Sequence, residues 1–178
     1  MSDLRVRPAT PADRPVVERL WAMFQHDLSA YRGELPRADG TFRDERLVSA
    51  FTEPGWRPYL FTSGTEAGAG AVGAGEHAGR PAGFAFVRGL TGPARILNSF
   101  FVVRGARRTG LGARALREIV AAHPGTWEIA FQDANAPAAR FWPRAVGAIV
   151  GDAWTKEYRE VPGRPEIAPD SWITFRAG

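Results

Sequence analysis

The stretch from Ala94 to Ala122, ARILNSFFVVRGARRTGLGARALREIVAA, constrains the fold most. Ile96 to Val103 is rich in β-branched and aromatic residues and predicts a strand. From Gly112 on, Ala113, Leu116, Ile119 and Val120 recur at helical spacing, with Arg114, Arg117 and Glu118 between them. The turn joining the two, Arg107-Arg108-Thr109-Gly110-Leu111-Gly112, reads as a diphosphate cradle. Glycines at a strand-to-helix junction let backbone N–H groups approach an anion, and the helix N-terminus adds favourable dipole potential. Arg104, Arg107, Arg108, Arg114 and Arg117 cluster around the turn and suit a small polyanion such as a nucleotide phosphate.

The remaining pattern predicts the element order strand, two helices, three strands, helix, strand, helix, two strands. Leu4 to Arg7 alternates as a strand. Thr10 reads as an N-cap and Pro11 as the first position of a helix with the apolar stripe Val17, Leu20, Phe24 and Leu28. A loop over 32–41 precedes a short helix, Asp44 to Phe51. Tyr59 to Thr62 and Ala82 to Arg88 read as strands. The glycine- and alanine-dense segment between them, 63–79, reads as a mobile hairpin loop that buries too little to offset ordering. Trp127 to Gln132 reads as a strand, Pro137 to about Val146 as a helix, and Ala148 to Glu160 and Trp172 to Arg176 as the closing strands. One domain over 1–178 is expected, built on a mixed sheet without strict βαβ alternation.

Composition narrows the chemistry. The absence of cysteine excludes disulfides, thiolate metal sites and a thiol nucleophile. His26, His77 and His123 show no metal-ligand spacing, so no metal is expected, and His123 reads as a cationic cap at a helix C-terminus. No apolar run spans a bilayer and MSDLRVRP lacks a signal-peptide core, so the expectation is a cytoplasmic protein with no membrane partner. Arginine supplies 22 of 23 basic residues, a skew that reflects a GC-rich genome and does not indicate nucleic acid.

Gly110-Leu111-Gly112-Ala113-Arg114-Ala115 also fits a dinucleotide fingerprint, with Glu128 placed as a ribose-binding acid. Context argues against it. The fingerprint belongs to a first βαβ unit, and too little chain follows to build two mononucleotide halves.

After the next predicted strand comes Asn135-Ala136-Pro137-Ala138-Ala139-Arg140-Phe141-Trp142. With this second constellation the sequence resembles the GNAT superfamily of N-acetyltransferases. That family carries a Q/R-x-x-G-x-G/A turn after its fourth strand and N-x-x-A-x-x-(apolar)-(aromatic) after its fifth. The first maps onto Arg107, Gly110 and Gly112, the second onto Asn135, Ala138, Phe141 and Trp142. LRVRPATPADRPVVERLW is similar to the family's first strand and helix, so the resemblance spans Leu4 to Trp142.

The resemblance implies an α/β fold (an α+β mixed sheet) of about seven strands and about four helices, splayed between the fourth and fifth strands. It implies acetyl-CoA as co-substrate within the splay. Backbone amides of Arg107, Arg108, Thr109, Gly110, Leu111, Gly112 and Ala113 would take the pyrophosphate. Backbone groups of Phe101, Val102 and Val103 would pair with the pantetheine arm like an added strand, and Asn135 would hydrogen-bond the same arm. Trp142, with Phe141, would wall the channel. Read from spacing alone, Asn135 is equally an N-cap for the Pro137 helix, and Phe141 and Trp142 are core residues.

Acetyl transfer to an amine needs a neutral amine, a polarised thioester oxygen and a stabilised leaving thiolate. Many relatives place a glutamate on the fourth strand as base, where this chain has Leu97-Asn98-Ser99-Phe100. Many use a tyrosine as acid where this chain has Trp142, whose indole N–H is no practical acid. Asn98 or Ser99 holding a relay water, and Tyr158 on a late strand, are the remaining catalytic candidates. The backbone N–H of Val102 is the expected donor to the oxyanion. Asp27, at the edge of the first helix's stripe, suits a substrate ammonium or a solvated boundary position, and Tyr31, Glu34 and Asp39 follow in the acceptor-side loop. The expected activity is direct transfer, in a ternary complex, from acetyl-CoA to a small-molecule amine. An inert CoA-binding or interaction module and an NAD(P)-binding protein are the alternatives, and a homodimer is compatible with the sequence.

Overall fold

Seven strands form one sheet in the order β1-β2-β3-β4-β5-β7-β6 in the computed structural model, which describes residues 4–64, 79–163 and 166–178. The elements are β1 (Leu4–Pro8), α1 (Arg14–Arg32), α2 (Glu45–Thr52), β2 (Arg57–Ser63), β3 (Arg80–Arg88), β4 (Ala94–Val102), α3 (Leu111–Ala122), β5 (Gly125–Phe131), α4 (Ala136–Val150), β6 (Trp154–Arg159) and β7 (Asp170–Ala177). This is the expected order and the expected mixed α/β class. Most of the loop expected over 63–79 lies outside the described residues. Among the described residues, no helix is long and apolar enough to cross a membrane.

Burial follows the sequence pattern. β5 alternates, sending Trp127, Ile129 and Phe131 to one face. The middle of β3, Ala82 to Val87, is buried throughout, because helices cover both of its faces. One core joins α3 and α4 to Phe61, Val87, Trp127, Ile129 and Ile173. The other joins α1 and α2 to Leu60, Phe84, Phe86 and Phe101. On this second face the helices contact β2 and β3.

Among the described residues, the one parallel pairing is β4 with β5, and it covers only Ala94–Leu97 against Thr126–Ile129. β4 continues to Val102 and β5 to Phe131, so their upper ends part as two lips. A bulge helps to turn the β4 lip: Phe86 pairs with Ser99 and Val87 with Leu97, leaving Asn98 as the extra residue. A single parallel pair among antiparallel neighbours is not a doubly wound sheet, which sets the dinucleotide fold aside.

Several local expectations change. Pro11–Asp13 is a 3₁₀ turn, and the α-helix starts at Arg14. Asp13 closes the turn, accepting hydrogen bonds from Thr10 N–H (2.7 Å) and Thr10 Oγ1 (3.0 Å), while Arg7 grips both its oxygens at 2.7 Å. α4 runs on to Val150 with Pro143 inside it, and β6 therefore starts only at Trp154. His123 does stand at the C-cap of α3, but not as a cation. Burial, with Arg57 and Arg95 nearby, pushes its imidazole down, and Nε2 meets the Tyr59 hydroxyl at 2.6 Å.

Candidate functional site

The splay is lined by backbone first. Val103 N–H donates to the Ala82 carbonyl at 2.9 Å, on the β3 side. Strand alternation then turns the N–H and C=O of Val102 and Phe100 toward the gap. Phe101 is buried against Phe24 and Phe84, so its side chain belongs to the core. Across the gap Phe100, Phe141 and Trp142 form a ring cluster, with centroids 5.3 Å apart for Phe100–Trp142 and 4.8 Å for Phe141–Trp142. Trp142 belongs to the core under α3 and α4, and Phe100 and Phe141 pack against it.

The turn before α3 has a backbone geometry suited to an anion. Arg108 (φ 64°) and Gly110 (φ 84°) are both left-handed, and Arg108 is the positive-φ residue other than glycine among those described. Such a conformation in a non-glycine residue stores strain, a common mark of a ligand loop. The first backbone bond of α3 runs from Arg114 N–H to Gly110 C=O, at 3.0 Å. The N–H groups of Leu111, Gly112 and Ala113 therefore point out of the helix start. Thr109 Oγ1 donates to the Ala106 carbonyl at 2.8 Å and tightens the turn. Gly112 has a packing reason: a Cβ there would lie 3.3 Å from Phe141. Asn135 caps α4, its Oδ1 accepting from Ala138 N–H at 3.2 Å, which leaves its amide donors for another partner. Two backbone lips, an outward-facing amide cluster and a free side-chain amide suit a linear ligand with a diphosphate end.

Asp27 is not placed as expected. It meets Arg104 Nη2 at 2.7 Å and Nε at 3.1 Å through Oδ1, and Arg107 through Oδ2. Burial pushes its carboxyl up, and the two guanidiniums outweigh that and hold it below the ordinary value. Arg107 also donates through Nε to the Val102 carbonyl at 2.8 Å and lies over the Phe101 ring. One side chain thus ties α1, the cradle and the β4 lip together.

The other candidates separate. Ser99 is buried and donates to Asn98 Oδ1 at 3.2 Å, so both sit on the β4 lip. Tyr158 is 64% exposed, and its hydroxyl donates to Asp133 at 3.1 Å, beside Lys156 and Ser171. Tyr31 is exposed, Glu34 pairs with Arg43 at 3.4 Å, and Asp39 accepts from Thr41 N–H at 2.9 Å to shape its own loop. Sequence reasoning missed Asp170. It begins β7 at the end of the β5 lip, where Ser171 pairs with Phe131. Burial pushes its carboxyl up, against Arg32, Arg46 and a hydrogen bond from Gln132. Asp170 adjoins the splay only through strand pairing, which no local spacing reveals.

Comparison with known proteins agrees with this geometry. The Acetyltransferase (GNAT) family model matches residues 21–148. No curated protein matches the chain in sequence. A Corynebacterium glutamicum structure described as histone acetyltransferase HPA2 and related acetyltransferase is similar over 100% of this chain and 98% of its own, at 15% identity and TM-score 0.65. The ribosomal-protein-S18-alanine N-acetyltransferase of Escherichia coli is similar over 99% of this chain and 95% of its own, at 12% identity and TM-score 0.61. A Bacillus anthracis structure described as a candidate streptothricin acetyltransferase with acetyl coenzyme A covers 99% of each chain, at 10% identity and TM-score 0.57. With the family model matching most of its length and the splayed sheet present, the chain belongs to the GNAT family of acetyltransferases.

Proposed function

We propose that this acyltransferase moves an acetyl group from acetyl-CoA directly to the amine of a small molecule, with both substrates bound together. The observation that carries the reading is the open β4 lip running straight into the amide cradle of α3. The cofactor supplies an activated thioester. The amides of Arg108 to Ala113 take its pyrophosphate, and Asn135 adds a donor to its arm. Of the three residues expected to pair with that arm, Val102 alone faces the gap with its backbone; those of Phe101 and Val103 face β3, where Val103 N–H donates to Ala82, and Arg107 N–H donates to the Arg104 carbonyl. Val102 N–H, turned into the gap, stabilises charge developing on the carbonyl oxygen. Asn98 and Ser99 hold a relay water. Tyr158 orders the turn into α4 through Asp133, and from there it is a candidate acid. Asp170 is our candidate for final proton acceptor, because it stands at the end of the β5 lip and burial raises its proton affinity.

Initial-rate kinetics with an amine panel, following free thiol, test this reading. Intersecting double-reciprocal lines are expected. Parallel lines would indicate an acyl-enzyme and overturn direct transfer, and tight acetyl-CoA binding without turnover would leave an inert module. Asp170→Asn is expected to lower kcat at least about tenfold and to flatten the rise of kcat with pH through the Asp170 ionisation.

Tyr31 and Glu34 stay with the acceptor side of this proposal, Tyr31 in the last turn of α1 and not in the loop where it was expected, and Glu34 on the loop that leads to α2. For Asp27 the geometry favours a cofactor-side role. Asp27→Ala frees Arg107 from its tether, uncovers the Val102 carbonyl and adds positive charge beside the cradle. The expected result is about threefold to fivefold tighter coenzyme A binding, with about 1 kcal/mol lost from the free protein's stability. A change confined to the acceptor KM would instead return Asp27 to the ammonium role read from sequence.

A further inference from the structure

Past Leu97–Ile129, where the β4–β5 ladder stops, β5 is held from its other side, and its last residue Phe131 pairs with Ser171 of β7. The chain then turns into α4, and Asn135 stands at the end of that turn as the helix cap. Two backbone bonds close the turn on itself: Asn135 N–H donates to the Gln132 carbonyl and Ala136 N–H to the Ala134 carbonyl, both at 3.0 Å. They shape the turn, and neither fastens it to the sheet.

Asp133 does fasten it. Its carboxylate accepts from three side chains on the two strands beyond β5. Ser171 Oγ reaches Oδ1 at 2.8 Å, Lys156 Nζ reaches the same oxygen at 3.3 Å, and the Tyr158 hydroxyl reaches Oδ2 at 3.1 Å. Lys156 also lies over the Phe131 ring, 5.4 Å from its centroid, and over the Tyr158 ring at 5.1 Å. One carboxylate thus joins the turn to β6, to β7 and, through Lys156, to the tip of β5. The Lys156 pair by itself would add little, since both side chains are partly exposed. Ser171 is different. It is fully buried, so without Asp133 its hydroxyl would lose its acceptor inside the protein. That hydroxyl leads the three donors in holding the Asp133 carboxyl below its ordinary value, against the cost of burial. The neighbouring Gln132 donates to Asp170, so consecutive turn residues bind consecutive residues of β7. The Asp133 side chain therefore points toward β7 and β6, on the side of β5 away from β4.

Resting on the reading that Asn135 donates to the arm of acetyl-CoA, we propose that Asp133 is a positioning residue for cofactor binding. It moors the turn between β5 and α4 to the β6–β7 pair and so aims the Asn135 amide at the gap, while its own side chain stays on the far side of β5. The ordering cost of that amide is met in the fold, before any ligand arrives.

The test is a double-mutant cycle read by calorimetric titration with coenzyme A. Asp133→Ala is expected to weaken binding about fivefold, and Ser171→Ala to move it in the same direction. Asp133→Asn should stay within about twofold of the wild type, because its amide oxygen still accepts from Ser171 and its NH2 can donate to the Tyr158 oxygen. Asn135→Asp keeps the cap of α4 and removes the amide donors. In that background Asp133→Ala should cost less than about twofold, since it acts through the group already removed. An equal loss in both backgrounds, native or tighter binding in Asp133→Ala, or a loss in Asp133→Asn as large as in Asp133→Ala overturns the proposal. If the wild type binds no coenzyme A, or Asn135→Asp binds it as the wild type does, the reading of Asn135 falls instead. Hydrogen exchange over 132–138 then judges the mooring alone. Exchange at least about tenfold faster in Asp133→Ala supports it, and native exchange ends it.

Discussion

Gly110→Val is expected to weaken coenzyme A binding at least tenfold while leaving the protein folded. Gly110 has φ 84° and ψ −7°, and it forms the N-cap of α3. A Cβ built there meets no protein atom within 4 Å, so the substitution does not clash with the fold. Its cost is conformational. A β-branched residue in the left-handed region carries strain of roughly 1–3 kcal/mol. The loop either relaxes, misdirecting the amides of Leu111, Gly112 and Ala113, or keeps its shape and fills the phosphate's space with an isopropyl group. A factor of ten in affinity is about 1.4 kcal/mol, within that range. Calorimetric titration with coenzyme A measures the loss, and Gly110→Ala should fall between the two. A folded valine variant with native affinity would show that the phosphates bind somewhere other than this turn.

Asp13→Asn is expected to destabilise the protein by about 3 kcal/mol, or roughly 10 °C in Tm, although Asp13 touches no substrate. Its side chain is fully buried, and Arg7 is 20% exposed. The bidentate bond from Arg7 holds the carboxyl far below the usual carboxylate range, against the cost of burial. An amide cannot accept both donors, and the guanidinium is left partly buried without its counter-charge. The sign with pH follows. The folded-state pKa lies below the unfolded value of about 3.9, so the stabilisation is complete above that value and is lost as pH falls below it. Chemical denaturation at neutral pH and between about pH 4 and pH 2 should show the wild type losing this increment and the variant a flatter profile. Equal slopes would mean that another carboxylate governs acid unfolding.

The parts of this molecule that could be read ahead of its structure are those encoded within a few residues. The strand-turn-helix from Ala94 was legible because glycine punctuation, β-branched runs and helical spacing are local. The N-cap role of Asn135 was legible for the same reason. What escaped was set by distant partners. Asp27 meets arginines 77 and 80 positions away, and that changes it from a boundary carboxylate into a clasp. His123 stands at the helix end as expected, but burial beside Arg57 and Arg95 disfavours its charged form, and Tyr59, 64 positions earlier, is its hydrogen-bond partner. The last helix was expected to end at about Val146; α4 runs one turn further, to Val150, with Pro143 inside it and Trp142, Ala145 and Val146 buried. Asp170 comes to the end of the β5 lip through the pairing of β5 with β7, which no local spacing encodes.

The brevity of the β4–β5 ladder has a mechanical corollary. The strands are joined over four residue pairs, Ala94–Thr126 to Leu97–Ile129, and beyond that pivot they gape like the jaws of a peg. Phe100, Phe141 and Trp142 pack as a wedge of rings beside that gap. On the proposed reading, trimming one of them is expected to let the strand ends settle together and weaken coenzyme A binding, even though every backbone group assigned to it stayed in place.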